Sequence, residues 1–481
     1  MLSGSGSRQL LMFVFTLVLA RILSPTDFAA VALVTAFVTV MEAVARVGIS
    51  VALIQRADVT DELLDSTFVL SIPLFLIVSG LLVVFSGWIA EFFGMPVLGP
   101  LLNIGALTFF FRGLASFHQS LMMRDLDFGR VSWIQVISAM VFGVLAIVLA
   151  RLGYGAFSVM WGYAGGALVA FLVSVALRPF WPKTLGSLRE IKSLLRFGGW
   201  ISLGRALGQV AYQADRMIIG RVLTESALGG YYLAHRLALG LPSLFAAAVD
   251  QVFLPIYASA KNDPATVERG YWKGVRFSAV LVVPMALGLA VFARPVVWLL
   301  LGEPWMYIVE LIQFLSVVGA VQATGAGVFS SATYASDKPH LNSVASALRI
   351  VGLPLSVWIG SQWGIIGVAW GVTIFSVIGR LFNQWLLERY LGYSMWRYFQ
   401  TLARPTIANG VLVVVGVMGA GQIALDGAVS VMLGLAGWGA LTLLTYGVLC
   451  LLLVGEETRT IWDQGSRMLR STTVRILGIG R

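Results

Sequence analysis

Apolar stretches of about 20 residues recur along nearly the whole chain, and this is the length that a helix needs to cross the hydrocarbon of a bilayer. Of the 481 residues, 58% are hydrophobic and only 12% are charged, whereas a soluble domain has roughly 25% charged residues. The sequence therefore predicts an all-α integral membrane protein with about 14 transmembrane helices. The predicted spans are approximately 8–23, 28–54, 66–92, 98–122, 131–150, 154–177, 197–220, 226–258, 275–300, 306–335, 341–360, 364–387, 404–425 and 428–454.

The basic residues that give the chain its net charge of +10 are unevenly distributed between the two predicted membrane faces. We place the N-terminus and every second connection on one membrane face and assign the basic residues toward span ends to the connections. That face then holds 23 of the 33 Lys and Arg residues, the opposite face holds 5, and the remaining 5, which are Arg46, Arg112, Arg205, Arg236 and Arg380, are assigned to membrane depth. Cytoplasmic loops carry such an excess, so both termini are predicted to be cytoplasmic. The basic residues have no polar domain to lie on, which argues against a nucleic-acid partner. One cysteine and three scattered histidines give no sign of a metal or other cofactor.

Two pairs of segments repeat at nearly the same offset. ARILSPTDFAAVAL at 20–33 matches GRVLTESALGGYYL at 220–233, and GAFSVMWG at 155–162 matches GIIGVAWG at 364–371. Six predicted spans fall in each repeat, and an even number gives both halves the same orientation, as in a parallel repeat related by a pseudo-two-fold axis along the membrane normal. The predicted domains are two six-helix lobes at 1–178 and 197–390, a cytoplasmic linker at 179–196, two extra helices in 404–455 and a basic cytoplasmic tail at 456–481.

Polar side chains recur at helical spacing inside several spans. The second span carries Thr35, Thr39, Glu42 and Arg46 on one helix face, and the seventh span repeats the pattern from Arg205 to Arg216. A charge that faces hydrocarbon costs at least about 2.5 kcal/mol on insertion scales. We therefore predict that the polar faces line a hydrated central cavity.

Arginines outnumber carboxylates among these residues, so the cavity is predicted to attract anions, and the planar arginine side chain suits phosphate oxygens. The predicted substrate-binding residues are Arg46, Arg112, Arg205, Arg236, Arg380, Gln209 and Tyr212. The ion-coupling candidates are Glu42, Asp215 and Asp250. Two structural alternatives stay open: Glu42 neutralises Arg46 one turn later, or Asp215 pairs with a cation on a neighbouring helix.

Several segments resemble a known family. They are LARILSPTDFAAVALVTAFVTV at 19–40 with VGISVALIQR at 47–56, and RFGGWISLGRALGQVAYQADRMIIGRVLTESALGGYYLAHRLALGLP at 196–242 with FLPIYA at 253–258. They resemble the Wzx-type polysaccharide exporters, the lipid-linked oligosaccharide flippases of the multidrug/oligosaccharidyl-lipid/polysaccharide exporter superfamily. One departure is Phe28-Ala29, where the family usually has Phe-Gly; the second repeat keeps Gly229.

The resemblance implies a V-shaped transporter, not an enzyme, in the bacterial inner membrane. Its cargo would be undecaprenyl diphosphate-linked oligosaccharide repeat units for exopolysaccharide or O-antigen synthesis. Membrane lipids, a polysaccharide polymerase and glycosyltransferases of the same pathway would be its partners.

Two alternatives stay open. A cation-coupled drug exporter of the same superfamily would need an acidic lining, against which the arginine excess counts. A membrane glycosyltransferase or polymerase would need paired carboxylates, and the one acidic run, from Asp58 to Asp65, is interpreted as a solvated loop.

Overall fold

The computed structural model describes residues 2–45, 60–184, 187, 206–240, 242, 263–453 and 455, and every regular element in these ranges is helical. The helices are α1 Leu2–Ala20, α2 Pro25–Ala45, α3 Asp61–Phe93, α4 Leu98–Arg124, α5 Phe128–Arg151, α6 Ala156–Leu177, α7 206–222, α8 225–240, α9 Pro264–Val291, α10 Ala293–Leu300, α11 Val309–Ala323, α12 Ala326–Ala335, α13 His340–Ser361, α14 Gly364–Leu391, α15 Met395–Ala420 and α16 Ala428–Leu453. A 3₁₀ helix lies at Glu303–Ile308.

Within the described ranges, 11 helical segments are long and apolar enough to cross a membrane. Helix α1 adds a shorter apolar segment, Gly6–Ala20. Helices α7 and α8 coincide with parts of the seventh and eighth predicted spans, and the rest of those two spans lies outside the described residues. The prediction of an all-α, multi-pass membrane protein is thus confirmed, whereas the count of 14 stays a prediction. The predicted tail at 456–481 also lies outside the described residues.

Capping side chains set several helix ends that hydropathy does not predict. Asp263 accepts hydrogen bonds from the backbone N–H groups of Ala265 and Thr266, and Pro264 occupies the first turn. Both features start a helix, so α9 begins at Pro264 rather than near the predicted residue 275. Thr60 caps α3 in the same way, and Gly94, with a φ of 67°, ends it.

The interpretation of the acidic run as a solvated loop is wrong at Asp65. Asp61 and Glu62 are exposed in the first turn of α3, whereas Asp65 is buried, and Asp58 lies outside the described residues. Oδ2 of Asp65 accepts hydrogen bonds from the backbone N–H groups of Lys183 and Thr184 at 3.2 and 2.9 Å and from the Thr184 hydroxyl at 2.9 Å. A buried carboxylate needs such donors, and here they come from the predicted linker.

The chain divides into two compact units, of which unit 1 comprises residues 1–233 and 349–368. Its α6 packs on α4 and α5. The Ser138 hydroxyl on α5 donates to the Gly166 carbonyl on α6 at 2.9 Å. An added Cβ at Gly162 would lie 2.9 Å from the Phe142 carbonyl oxygen. Small residues bring these two backbones together, as they commonly do between membrane helices.

Unit 2 comprises residues 234–348 and 369–481. Its α9 packs on α11 and α15, and α15 packs on α16. One core cluster includes the buried side chains of Tyr271, Trp272, Tyr393 and Tyr398. The lobes predicted at 1–178 and 197–390 stay a prediction.

The two sequence repeats have matching local structure. Helices α2 and α8 both begin five residues after the start of the first repeated segment, and hydroxyl groups of Ser24 and Thr224 accept hydrogen bonds at the two helix starts. In the second pair, Gly155 and Gly364 have φ values of 50° and 72° and lie at the starts of α6 and α14. This agreement supports an internal duplication of the helical pattern.

Gly229 lies at the closest approach between the two copies of the first repeat. An added Cβ at this position would lie 1.8 Å from the Pro25 carbonyl oxygen and 3.2 Å from the Ala29 nitrogen. Ala29 is the residue that the repeat aligns with Gly229, at an offset of 200 residues. The start of α8 therefore rests directly on the backbone of α2, and only glycine fits.

We expect Gly229→Ala to lower the free energy of unfolding by about 1–3 kcal/mol, the usual cost of overpacking. The thermal unfolding midpoint of the full chain in detergent or nanodiscs measures this. Gly208→Ala on α7 is the control, because an added Cβ there has no atom within 4 Å. Equal midpoints for the two variants would contradict the close contact.

Candidate functional site

The candidate site consists of the polar side chains at membrane depth, and the structure describes seven of the ten predicted residues. They are Arg112, Gln209, Tyr212, Arg236, Arg380, Glu42 and Asp215. Arg46, Arg205 and Asp250 lie outside the described residues. The described residues contain no group of three or more His, Cys, Asp or Glu side chains that could hold a metal ion.

Glu42 and Arg112 form an ion pair between α2 and α4. Arg112 Nη1 lies 3.1 Å from Glu42 Oε1, and the two side chains are 33% and 17% exposed. The Arg112 guanidinium also lies 5.4 Å from the ring centre of Tyr163 on α6. Three helices of unit 1 therefore meet at one cation. Glu42 thus neutralises a charge on another helix. The alternative in which Glu42 pairs with Arg46 did not include this contact.

A second polar contact joins α2 to α7. Gln213 is 3% exposed, and its Nε2 donates to the Thr39 hydroxyl at 2.7 Å. Its Oε1 is buried and has no hydrogen-bond partner among the described residues. On the same helix, the predicted residue Gln209 is half-buried and Tyr212 is 47% exposed. Sequence reasoning selected Gln209 and missed Gln213, which follows it by one turn and makes the contact between the helices.

Asp215 is the most deeply buried of the described ion-coupling candidates. It is 5% exposed, and Oδ2 accepts a hydrogen bond from the Tyr231 hydroxyl of α8 at 2.9 Å. Oδ1 accepts from the Arg216 backbone N–H at 2.8 Å. The Arg216 guanidinium lies 5.4 Å from the Tyr232 ring centre, and its buried Nε has no hydrogen-bond partner in the part of the chain that the structure describes. Among the described residues, the Tyr231 phenol binds the Asp215 carboxylate, and the alternative that pairs Asp215 with a cation on a neighbouring helix stays a prediction.

Arg380 lies in a closed cluster of unit 2 and is 7% exposed. Nε donates to the Tyr398 hydroxyl at 3.1 Å, and Nη2 donates to the Tyr271 hydroxyl at 2.9 Å. Tyr271 in turn donates to Gln384 Oε1 at 2.5 Å. Nη1 is buried beside Gly325, where an added Cβ would lie 2.4 Å from it, and none of the described residues forms a hydrogen bond with it. The geometry gives Arg380 a packing role, and its exposure to a cavity stays a prediction.

Arg236 lies on α8 and is half-buried. Among the described polar residues, unit 1 therefore brings together Thr39, Glu42, Arg112, Gln213 and Asp215 through α2, α4, α7 and α8. Unit 2 contains Arg236 and Arg380. The residues that sequence reasoning missed are mainly tyrosines, which bind the charges through hydroxyl groups and ring faces.

Comparisons with known proteins agree with this fold. The family described as polysaccharide biosynthesis protein matches residues 18–310, which is more than half of the chain, and the chain belongs to this family. The lipopolysaccharide biosynthesis protein WzxC of Escherichia coli is 24% identical over 400 residues, covering 81% of this chain and 80% of that protein. The teichuronic acid biosynthesis protein TuaB of Bacillus subtilis is 27% identical over 375 residues, covering 76% and 77%.

Solved structures share the architecture. The inward closed conformation of the lipid II flippase MurJ superposes with a TM-score of 0.74 at 15% identity, covering 93% of this chain and 97% of that one. An inward-facing multidrug transporter of the MATE family gives 0.64 at 17% identity, covering 80% and 96%. The family match and the relative named WzxC confirm the resemblance to Wzx-type flippases, and the solved structures confirm the shared fold. Together with a relative named a succinoglycan biosynthesis transport protein, they support a transporter rather than an enzyme.

We expect the Glu42–Arg112 pair to be coupled in a double-mutant cycle of Glu42→Gln and Arg112→Gln. Each single variant removes this ion pair and keeps one of its two charges. Because the pair is partly buried, the coupling energy should lie between the about 1 kcal/mol of an exposed pair and the about 3 kcal/mol of a buried one. Unfolding of the full chain in nanodiscs measures it.

The matched control is the exposed pair Arg178–Asp125, with an N···O distance of 3.0 Å and side chains 47% and 48% exposed. Its coupling should stay below about 1 kcal/mol. If the Glu42–Arg112 coupling energy is no larger than that of the control, the ion pair does not stabilise the contact between α2 and α4.

Proposed function

We propose that the protein translocates undecaprenyl diphosphate-linked oligosaccharide repeat units from the cytoplasmic to the outer leaflet of the bacterial inner membrane. The observation that carries this proposal is the family match over residues 18–310. The names of relatives concern lipopolysaccharide, teichuronic acid and succinoglycan, which are different polysaccharides. The common chemistry is a sugar chain assembled on a lipid carrier. The product would be an exopolysaccharide or O-antigen, and both termini would be cytoplasmic.

The mechanism is alternating access through a cationic central cavity. A sugar chain cannot cross hydrocarbon without losing the hydrogen bonds of its hydroxyl groups, so it needs a polar path. Arginine side chains suit the diphosphate because they stay protonated and bind two oxygens at once. We assign diphosphate binding to the arginines among the predicted substrate-binding residues, which are Arg46, Arg112, Arg205, Arg236 and Arg380.

The partners of this transporter would act before and after it. Glycosyltransferases of the same pathway assemble the sugar chain on the cytoplasmic face, and a polysaccharide polymerase joins the translocated units. The structural neighbours also include multidrug transporters, which favours a small-molecule exporter as the second candidate. A strain that lacks the protein separates the two: it should accumulate the lipid-linked oligosaccharide facing the cytoplasm and keep its drug susceptibility. Altered drug susceptibility with normal polysaccharide would favour the exporter.

Neutralising Arg46, Arg205 and Arg236 to Gln should lower polysaccharide export at least tenfold at equal protein level. The control variant neutralises Arg151, Arg349 and Arg389, which are exposed at helix ends or helix surfaces, and should export normally. Cell-surface polysaccharide per unit of membrane-inserted protein measures both variants. Normal export by the first variant would reject the cationic cavity and leave the family membership unaffected.

The coupling ion would be carried by Asp215, Glu42 or Asp250, and Asp215 is the candidate with the clearest geometry. We expect Asp215→Asn to abolish the acceleration of translocation by an imposed pH or Na⁺ gradient in proteoliposomes. Translocation in the absence of a gradient should continue. Tyr231→Phe is the control, because it removes the 2.9 Å hydrogen bond and leaves the carboxylate in place. If the Asn variant still responds to both gradients, Asp215 is structural.

A further inference from the structure

Unit 1 contains an apolar groove of about 730 Å³, within the range of roughly 300–1,000 Å³ that is typical of ligand pockets. Helices α2, α3, α7 and α13 line it. Six of the lining residues are aromatic, and one is charged. The aromatic residues are Phe37, Phe85, Trp88, Phe92, Phe93 and Trp358, and the charged residue is Arg221.

The groove extends over one leaflet of the bilayer. Phe92, Phe93, Arg221 and Trp358 lie near the ends of their helices and form a rim. Leu81, also in the lining, precedes Phe93 by 12 residues on α3. At 1.5 Å per residue this is about 18 Å, close to half of the roughly 30 Å of hydrocarbon. By the distribution of basic residues, the rim lies at the outer face.

Arg221 is positioned to bind an anion at this rim. Its guanidinium lies 5.2 Å from the ring centre of Phe92, and the side chain is exposed. Among the described residues it forms no ion pair. An unpaired cation beside an apolar groove, at headgroup depth, matches one class of molecule: a lipid whose chain enters the groove and whose phosphate remains at the surface.

We propose that the groove holds the polyprenyl chain of the lipid-linked cargo in the outer leaflet, with the lipid phosphate on Arg221. The identity of this occupant rests on the proposed function. A polyprenyl chain is branched and unsaturated, and its methyl groups and flat double bonds pack well on aromatic rings. The lining offers almost no hydrogen-bonding groups, so the sugar chain has to lie elsewhere. The groove would thus retain the carrier by its chain on the side where the sugar is released.

A polyprenyl diphosphate with a photoreactive diazirine on its chain tests the proposal on the full chain in nanodiscs. After irradiation, peptide mapping should place the label on α3, α7 and α13, at residues such as Phe85, Trp88 and Trp358. Excess unlabelled polyprenyl phosphate should remove the label from these residues. Equal competition by phosphatidylglycerol would overturn the assignment to a polyprenyl chain, and labelling spread evenly over all lipid-facing helices would overturn the site.

Two variants test the charge of Arg221 and the apolar groove separately. Arg221→Gln should lower groove labelling at least threefold, whereas Arg151→Gln, at another exposed arginine, should leave it unchanged. Leu81→Trp combined with Val222→Trp should fill the groove and remove the label. Leu81 and Val222 are 49% and 47% exposed, so larger side chains have room. Leu443→Trp on α16, where Leu443 is 66% exposed, is the control for added bulk. Unchanged labelling in both Arg221→Gln and the double variant Leu81→Trp with Val222→Trp would overturn the proposal.

Translocation assays on the same variants distinguish the two proposals. Labelled groove residues in a protein that moves no lipid-linked sugar would reject the proposed function and keep a polyprenyl site. Normal sugar export in a protein whose groove takes no label would reject the groove and keep the function.

Discussion

Hydrocarbon offers no hydrogen bonds, so a polar group at membrane depth needs a partner within the chain or water in a cavity. The described part of this protein meets that constraint by distributing partners over several helices. Glu42 on α2 contacts Arg112 on α4, Gln213 on α7 contacts Thr39 on α2, and Tyr231 on α8 contacts Asp215 on α7. Each contact satisfies a group that would be costly alone, and each fixes one helix against another.

Hydropathy predicts the helical spans well because the bilayer imposes both length and composition. It predicts helix ends poorly, because helices extend beyond the hydrocarbon until a capping residue stops them. Helix α3 has 33 residues between Thr60 and Gly94, and α9 begins at a cap in a polar stretch. The capping residues are nevertheless visible in the sequence. Asp263-Pro264 indicates a helix start, and Phe93-Gly94 indicates a helix end.

The candidate site was only partly predictable. A period of 3.6 residues shows which side chains share a helix face, but it does not show which helix that face meets. Glu42 and Arg112 were both selected, yet their pairing was not. The tyrosines Tyr231, Tyr271 and Tyr398 were missed because they count as apolar in a hydropathy pattern, although their hydroxyl groups bind Asp215 and Arg380. Arg380 donates hydrogen bonds to two of these phenols, a contact that the spacing along its own helix does not predict.

The hydrogen bonds to Asp65 bear on the mechanics of the connection between the two repeats. They fasten Lys183 and Thr184 to the start of α3, and Ser66 accepts a further bond from the Ser187 backbone at 2.9 Å. The connection between the repeats therefore contacts α3 as far as Ser187, ten residues after the end of α6 at Leu177. Lys183, Thr184 and Ser187 are therefore held against the start of α3. The part of the connection that is free to extend is shorter than the interval after α6 implies, and Asp65 and Ser66 together set where it begins.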